Sequence, residues 1–198
     1  MVSKAHADAE RVEPASLAAW TTWLEANHRR SEGVWLVTWK KATGRQHVTY
    51  DAAVTEALRV GWVDSVANGL DDDRSMLWFS PRRAKRGWSR PNKERIARLE
   101  AEGRMLDTGR RAVELAKASG TWTLLDEVEA LVVPPDLAEA FARHPGSAEQ
   151  WDAFPRSAKR GILEWIVQAK RAETRAKRIE ETASLAATGE RANQWRRP

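Results

Sequence analysis

Asp64 is the acid with the most unusual neighbours in this sequence. It follows Gly61, Trp62 and Val63 in an apolar stretch, and on an extended chain Trp62, Asp64 and Val66 share one face. A carboxylate placed there needs a cation, hydrogen-bond donors or a ligand beside it. Lys40, Lys41 and Arg82 are the candidate partners. Arg82 opens a basic run in which Arg82, Arg83, Lys85, Arg86, Arg90, Lys93, Arg95 and Arg98 face only Glu94. Trp88 sits inside that run between Arg86 and Arg90, and Asn92 follows Pro91 where a helix should begin. Lys40, Asp64, Arg82, Trp88 and Asn92 therefore form a candidate ligand-binding set. Arg82 would clamp an oxyanion, Trp88 would stack on a flat ligand, and Asn92 would add a donor beside free helix N–H groups. Set against this, Asp64 reads more readily as half of a structural ion pair, and Trp88 reads as well as a lid over the core.

Other chemistries find less support. The chain has no cysteine, so thiolate nucleophiles, thiolate metal sites and disulfides are excluded. Its four histidines, His6, His28, His47 and His144, have no pairing at ligand spacing. The three consecutive acids Asp71, Asp72 and Asp73 lack the spaced oxygen ligands and distal glutamate of a calcium loop, and read as a solvated turn. No P-loop, nucleophile elbow or dinucleotide fingerprint occurs. No metal and no cofactor is expected, and no catalytic residue is assigned. An enzyme using Asp64 as general base requires Asp64 to face Arg82 across a pocket.

Charge placement suggests a rival. Of the net charge of +5, the stretch 155–198 carries 11 Lys and Arg against 5 Asp and Glu. Lys170, Arg171, Lys177 and Arg178 are the residues by which such a segment, with the basic run 82–98, would hold nucleic acid through phosphate contacts. Glu173, Glu180 and Glu181 interrupt that face, so only weak, sequence-independent binding is expected. Residues 1–13 lack a signal-like apolar run, and no 18-residue apolar stretch occurs. No membrane association and a cytoplasmic location are expected.

The elements that must hold these residues read as α+β: a small antiparallel sheet with packed helices, then an all-helical C-terminal segment. Leu17, Trp20 and Leu24 mark a helix over 14–28, with Pro14 in its first turn. Residues 34–41 read as a strand with Trp35, Val37 and Trp39 on one face. Asp51 should cap a helix that stops at Gly61. Residues 62–67 and 75–79 read as a hairpin with a long loop. Helices follow over 91–102 and 107–119. Residues 121–134 give no clear signal. Beyond them lie helices over 136–143 and 147–153, the latter with a Ser147-x-x-Gln150 capping box, and one long helix over 157–187. Its apolar stripe runs through Ile162, Ile166, Ala169, Ala172, Ala176, Ile179 and Ala183. The expected division is an α+β domain over 1–134, including the basic loop 82–98, and a helical segment over 135–198 packed on it. Frayed ends are expected over 1–11 and 189–198, and most of the 11 tryptophans should anchor the core.

Several blocks in one order resemble a known family. They are Trp23-Leu24-Glu25, Gly33-Val34-Trp35-Leu36, Lys40-Lys41, Glu56-Ala57-Leu58 with Gly61-Trp62-Val63-Asp64, Phe79-Ser80-Pro81-Arg82, Trp88-Ser89 with Asn92, and Gly103 with Gly109. Near the C-terminus come Ala169-Lys170, Glu173-Thr174-Arg175 and Arg178-Ile179. Together they are similar to the YdeI/OmpD-associated (OmdA-like, "bacteriocin-protection") family over most of 14–187. Val63 and Ser65 depart from its usual Ile and Gly, and Ser65 alters the turn near Asp64. The resemblance implies a non-enzymatic stress or protection-type protein, and it transfers positions without catalytic roles.

Overall fold

The computed structural model describes residues 6, 8–84 and 86–194. Lys85 and Trp195, and those parts of the expected frayed ends that fall on residues 1–5, 7 and 195–198, lie outside the described residues. The chain divides into two compact units, Met1–Trp122 and Thr123–Pro198.

The first unit is a four-stranded sheet with helices. Its elements run β1 (Arg11–Val12), α1 (Leu17–Asn27), β2 (Val34–Trp39), a 3₁₀ turn (Lys41–Thr43), α2 (Tyr50–Arg59), β3 (Trp62–Gly69), β4 (Arg74–Pro81), α3 (Arg90–Ala101) and α4 (Asp107–Ala118). Strand order is β1-β2-β4-β3, antiparallel except where β1 lies parallel to β2, so the sheet is mixed. Arg11 pairs with Trp35, the Trp35 N–H bonds Glu10 O, and the Trp35 indole donates to His6 O, so residues expected to fray are bonded to the sheet.

Helix starts shift from expectation for local reasons. Ser16, whose oxygen accepts the Ala19 N–H, opens α1 three residues after Pro14, and Thr49 rather than Asp51 caps α2 by accepting from Ala52 N. Asp51 instead lies in the first turn, where its charge suits the helix dipole. Trp20 and Leu24 of α1, Val54 and Leu58 of α2, Ile96 and Leu99 of α3 and Val113 of α4 close over Val34, Leu36, Trp62 and Phe79 of the sheet. Buried indoles find acceptors: Trp20 Nε1 donates to Ala53 O and Trp62 Nε1 to His28 O.

The second unit is helical: α5 (Asp126–Glu129), α6 (Pro135–Arg143), α7 (Ser147–Ala153), α8 (Arg156–Val167) and α9 (Ala172–Ala187). Its core joins Leu137, Phe141, Trp151, Ile162, Ile166, Ile179 and Ala183. The long helix expected over 157–187 is two, broken at 168–171, and the stripe fails there because Ala172 and Ala176 are exposed. The Ser147 hydroxyl makes no capping box. Gly146 is the cap residue and Ser147 Oγ donates to buried Phe141 O. Ala192, inside the expected C-terminal fray, is buried in this core. Among the described residues no helix is long and apolar enough to cross a membrane.

Candidate functional site

Arg82 is the first residue past β4, and its N–H still bonds the Gly61 carbonyl at 2.9 Å, which fixes its backbone where the sheet ends. The side chain turns onto Trp88, with the guanidinium carbon 3.5 Å from the ring centroid, and Nη2 donates to Gly87 O at 2.6 Å. Its Nε is buried and has no hydrogen-bond partner among the described residues. Burial pushes the Arg82 pKa down from 12.5 to about 10, with the Asp64 charge opposing that shift, so the group stays cationic at neutral pH. Trp88 is 1 % exposed, and Trp122 packs against it at 5.0 Å. The open stacking platform expected from the sequence is therefore occupied by Arg82 itself. Trp88 acts as a wall that holds the guanidinium by a cation–π contact.

A cavity of about 200 Å³ opens beside this pair. Arg82, Arg83, Trp88, Thr108 and Arg111 line it together with His28. Thr108 Oγ1 is buried and, like Arg82 Nε, lacks a partner among the described residues. Arg83 and Arg111 are exposed and make no ion pair among the described residues. The position of α4 follows from two glycines. A Cβ on Gly109 would lie 2.3 Å from Arg59 O, and one on Gly61 would lie 3.0 Å from Thr108 O. Only bare backbone lets the first turn of α4 press on the end of α2 and bring Thr108 and Arg111 to the cavity.

The remaining members of the expected set do not all converge. Asp64 Oδ2 accepts from Tyr50 Oη at 2.8 Å, in place of the ion pair expected with Lys40, Lys41 or Arg82, and it reaches Arg82 only through its charge. Desolvation and this hydrogen bond push the Tyr50 pKa up from 10.0 to about 12. Register shifts between Asp64 and Ala67, so Val66 is exposed while Trp62 is buried, and the shared face expected for Trp62, Asp64 and Val66 is broken. Asn92 Oδ1 accepts from Arg95 Nη1, while Arg95 Nε and Nη2 hold Asp51 Oδ1, which latches α3 to α2. Lys40 stands at the other end of the sheet, its Nζ donating to Asp71 O and Asp72 O. The eight residues from Arg74 to Arg82 separate that end from the cavity by roughly 26 Å at strand rise. Asp71 accepts the Asp73 and Arg74 N–H groups, so this acid caps the turn.

Thr108, Arg111 and Tyr50 were not candidates in the sequence. Thr108 and Arg111 lie three apart on an amphipathic helix, a spacing that gives one face but no partner. Tyr50 follows the cap residue Thr49, which lies two residues before the expected cap Asp51.

In the second unit the basic residues separate. Lys170 and Arg171 occupy the connector between α8 and α9, and Lys177 is exposed on α9. Arg178 is engaged: Nη1 donates to Trp165 O and the guanidinium lies 4.8 Å from the Trp165 ring. It ties α9 to α8, which leaves Lys170, Arg171 and Lys177 outward. Glu180 bonds Arg143 and His144, and Asp136 takes a bidentate pair from Arg175.

Two family models match the chain. Residues 12–112 match the domain of unknown function DUF8412, and residues 130–189 match the family described as Bacteriocin-protection, YdeI or OmpD-Associated. The resemblance read from Ala169-Lys170, Glu173-Thr174-Arg175 and Arg178-Ile179 falls within the second match. The N-terminal blocks, from Trp23 to Gly109, fall within the first, so the OmdA match is confined to the C-terminal part. No curated protein and no solved structure matches the chain.

Proposed function

From the premise that the chain belongs to the DUF8412 family and carries an OmdA segment, we propose that it is a protection-type protein whose first unit binds an anionic small molecule in the cavity beside Arg82. The observation that carries this reading is the pair of buried polar atoms without a partner among the described residues, Arg82 Nε and Thr108 Oγ1, on two residues that line one cavity together with Arg83 and Arg111. Buried polar atoms are almost always bonded, and each unmade bond costs about 1–3 kcal/mol. An oxyanion accepts from both positions at once and also neutralises the three clustered positive charges. A cavity of about 200 Å³ suits a phosphate or a short carboxylate better than a nucleotide base with its sugar. Asp64, bonded to Tyr50, supplies a field that keeps Arg82 charged. Nothing in this arrangement calls for a bond to be broken, so the reading is of a binding protein.

Calorimetric titration with inorganic phosphate, then acetate, tests it. Arg111→Glu, at an exposed position, should weaken phosphate at least about tenfold, and Thr108→Val about fivefold, on the scale of one charge-assisted and one neutral hydrogen bond. Circular dichroism should show both variants folded. Wild-type failure to bind either anion at millimolar concentration, or unchanged binding by both variants, sinks the proposal.

A further inference from the structure

At the opposite end of the sheet from Arg82, a second and larger cavity of about 400 Å³ lies between the sheet and the first turn of α2. Its floor is apolar, with Leu36 of β2, Leu77 of β4 and Ala53 of α2. Tyr50 forms a wall and is 57 % exposed although its hydroxyl is bonded to Asp64. Residues 44–49 close one side, held because the Thr38 hydroxyl bonds both the N–H and the carbonyl of Val48. A large aromatic side chain left open to solvent beside an apolar floor is unusual in a small domain, and the volume falls in the range of small-molecule sites.

Charge then narrows the class of occupant. Among the residues lining the cavity none is acidic, while Lys40, Lys41 and His47 stand around it. Lys40 is committed to the Asp71 and Asp72 carbonyls, but Lys41 next to it is exposed and has no side-chain partner among the described residues. The Ser75 hydroxyl, also lining the cavity, has no partner among the described residues and can donate. One free ammonium and a hydroxyl at the edge of an aromatic, apolar slot match a ligand with one anionic end and one flat apolar body.

We propose that this cavity is a second ligand site, independent of the first, and that it takes a small aryl carboxylate. The ring lies against Tyr50 over Leu36 and Leu77, and the carboxylate points to Lys41 and Ser75. The contrast with the first site is chemical. There three guanidiniums surround a small volume and favour a compact oxyanion, whereas here a single unengaged lysine edges a volume mostly walled by carbon.

The test is calorimetric titration of the full chain with 1-naphthoate and, in parallel, with its neutral analogue 1-naphthalenemethanol. Naphthoate should bind about tenfold more tightly than the alcohol, the scale of one charge-assisted contact. Lys41→Glu and Tyr50→Ala, both at exposed positions, should each weaken naphthoate by about tenfold while leaving the far-UV spectrum unchanged, and Lys41→Glu should also leave phosphate binding unchanged. Arg111→Glu should leave naphthoate binding unchanged. The proposal is overturned if naphthoate does not bind, if the alcohol binds as tightly, or if binding survives both Lys41→Glu and Tyr50→Ala. Loss of naphthoate affinity in Arg111→Glu would place that ligand in the first cavity instead and equally overturn it.

Discussion

Tyr50 is the chain's single tyrosine among eleven tryptophans, so its ionisation can be followed alone by phenolate absorbance. Its phenol is raised to about 12 first by desolvation and then by the bond to Asp64, which favours the protonated form. In rapid pH jumps that outrun unfolding, phenolate should appear with a midpoint near 12, and in Asp64→Asn the midpoint should move toward the ordinary value of 10.0. By linkage, a folded pKa above the unfolded one stabilises the fold fully below pH 10, and the contribution fades as pH rises through the folded value. A midpoint unmoved by Asp64→Asn would show that the hydroxyl is not held by Asp64. The same bond explains why a carboxylate in an apolar strand is tolerated without a cation at hydrogen-bond distance. Asp64 does not line the Arg82 cavity, and its Oδ2 is taken by the phenol.

At the scale of elements, close approach of backbone to backbone decides whether the Arg82 cavity exists. Gly109→Ala puts a methyl 2.3 Å from the Arg59 carbonyl, so α4 must move from α2; a loss of about 1–3 kcal/mol in urea denaturation is expected, typical of overpacking, with phosphate binding weakened as Thr108 is displaced. Gly103→Ala meets no atom within 4 Å but has φ +64°, so it should cost about 1 kcal/mol through backbone strain and leave binding intact. Equal effects of the two on binding would show that packing of α4 does not build the cavity. Most elements were legible because periodicity and punctuation agree: the 3.6-residue apolar repeats of α1 to α4, the glycine at 61 in the left-handed region, the β3–β4 hairpin. Residues 121–134 gave no signal for a physical reason. The short helix α5 closes with Leu131 at φ 57°, where a glycine would have announced the end, and Leu131 is held there because it packs on the second core. The break at 168–171 was hidden likewise, since Ala169 and Ala172 continue an apolar pattern without a proline or glycine. For the site, the contact of Arg82 with Trp88 was readable from their five-residue linkage across a polar loop. Thr108 and Arg111 were not, because their placement depends on a tertiary contact at Gly109 that no local pattern encodes.

Across the whole molecule, acids held below their ordinary pKa recur in both units: Asp71 by Arg74, Asp136 by Arg175, and Glu180 by His144 and Arg143. Each folded value lies below the unfolded one, so each stabilises the fold above its unfolded pKa and loses that contribution as pH falls through the folded pKa. The melting temperature should therefore drop as pH is lowered below about 4, and Asp136→Asn should flatten that slope while lowering stability at pH 7. An acid limb as steep in the variant as in the wild type would show that Asp136 contributes nothing to it. The order β1-β2-β4-β3 has a further consequence. It leaves two outer strands, and neither offers a usable template to another sheet. β1 is two residues long, and β3 sets Ser65 and Val66 against the single residue Trp78 and carries the Asp64 carboxylate. A kinked, charged border of this kind cannot zip onto a copy of itself. The register shift beside Asp64 thus works against edge-to-edge growth of a tryptophan-rich sheet into fibres.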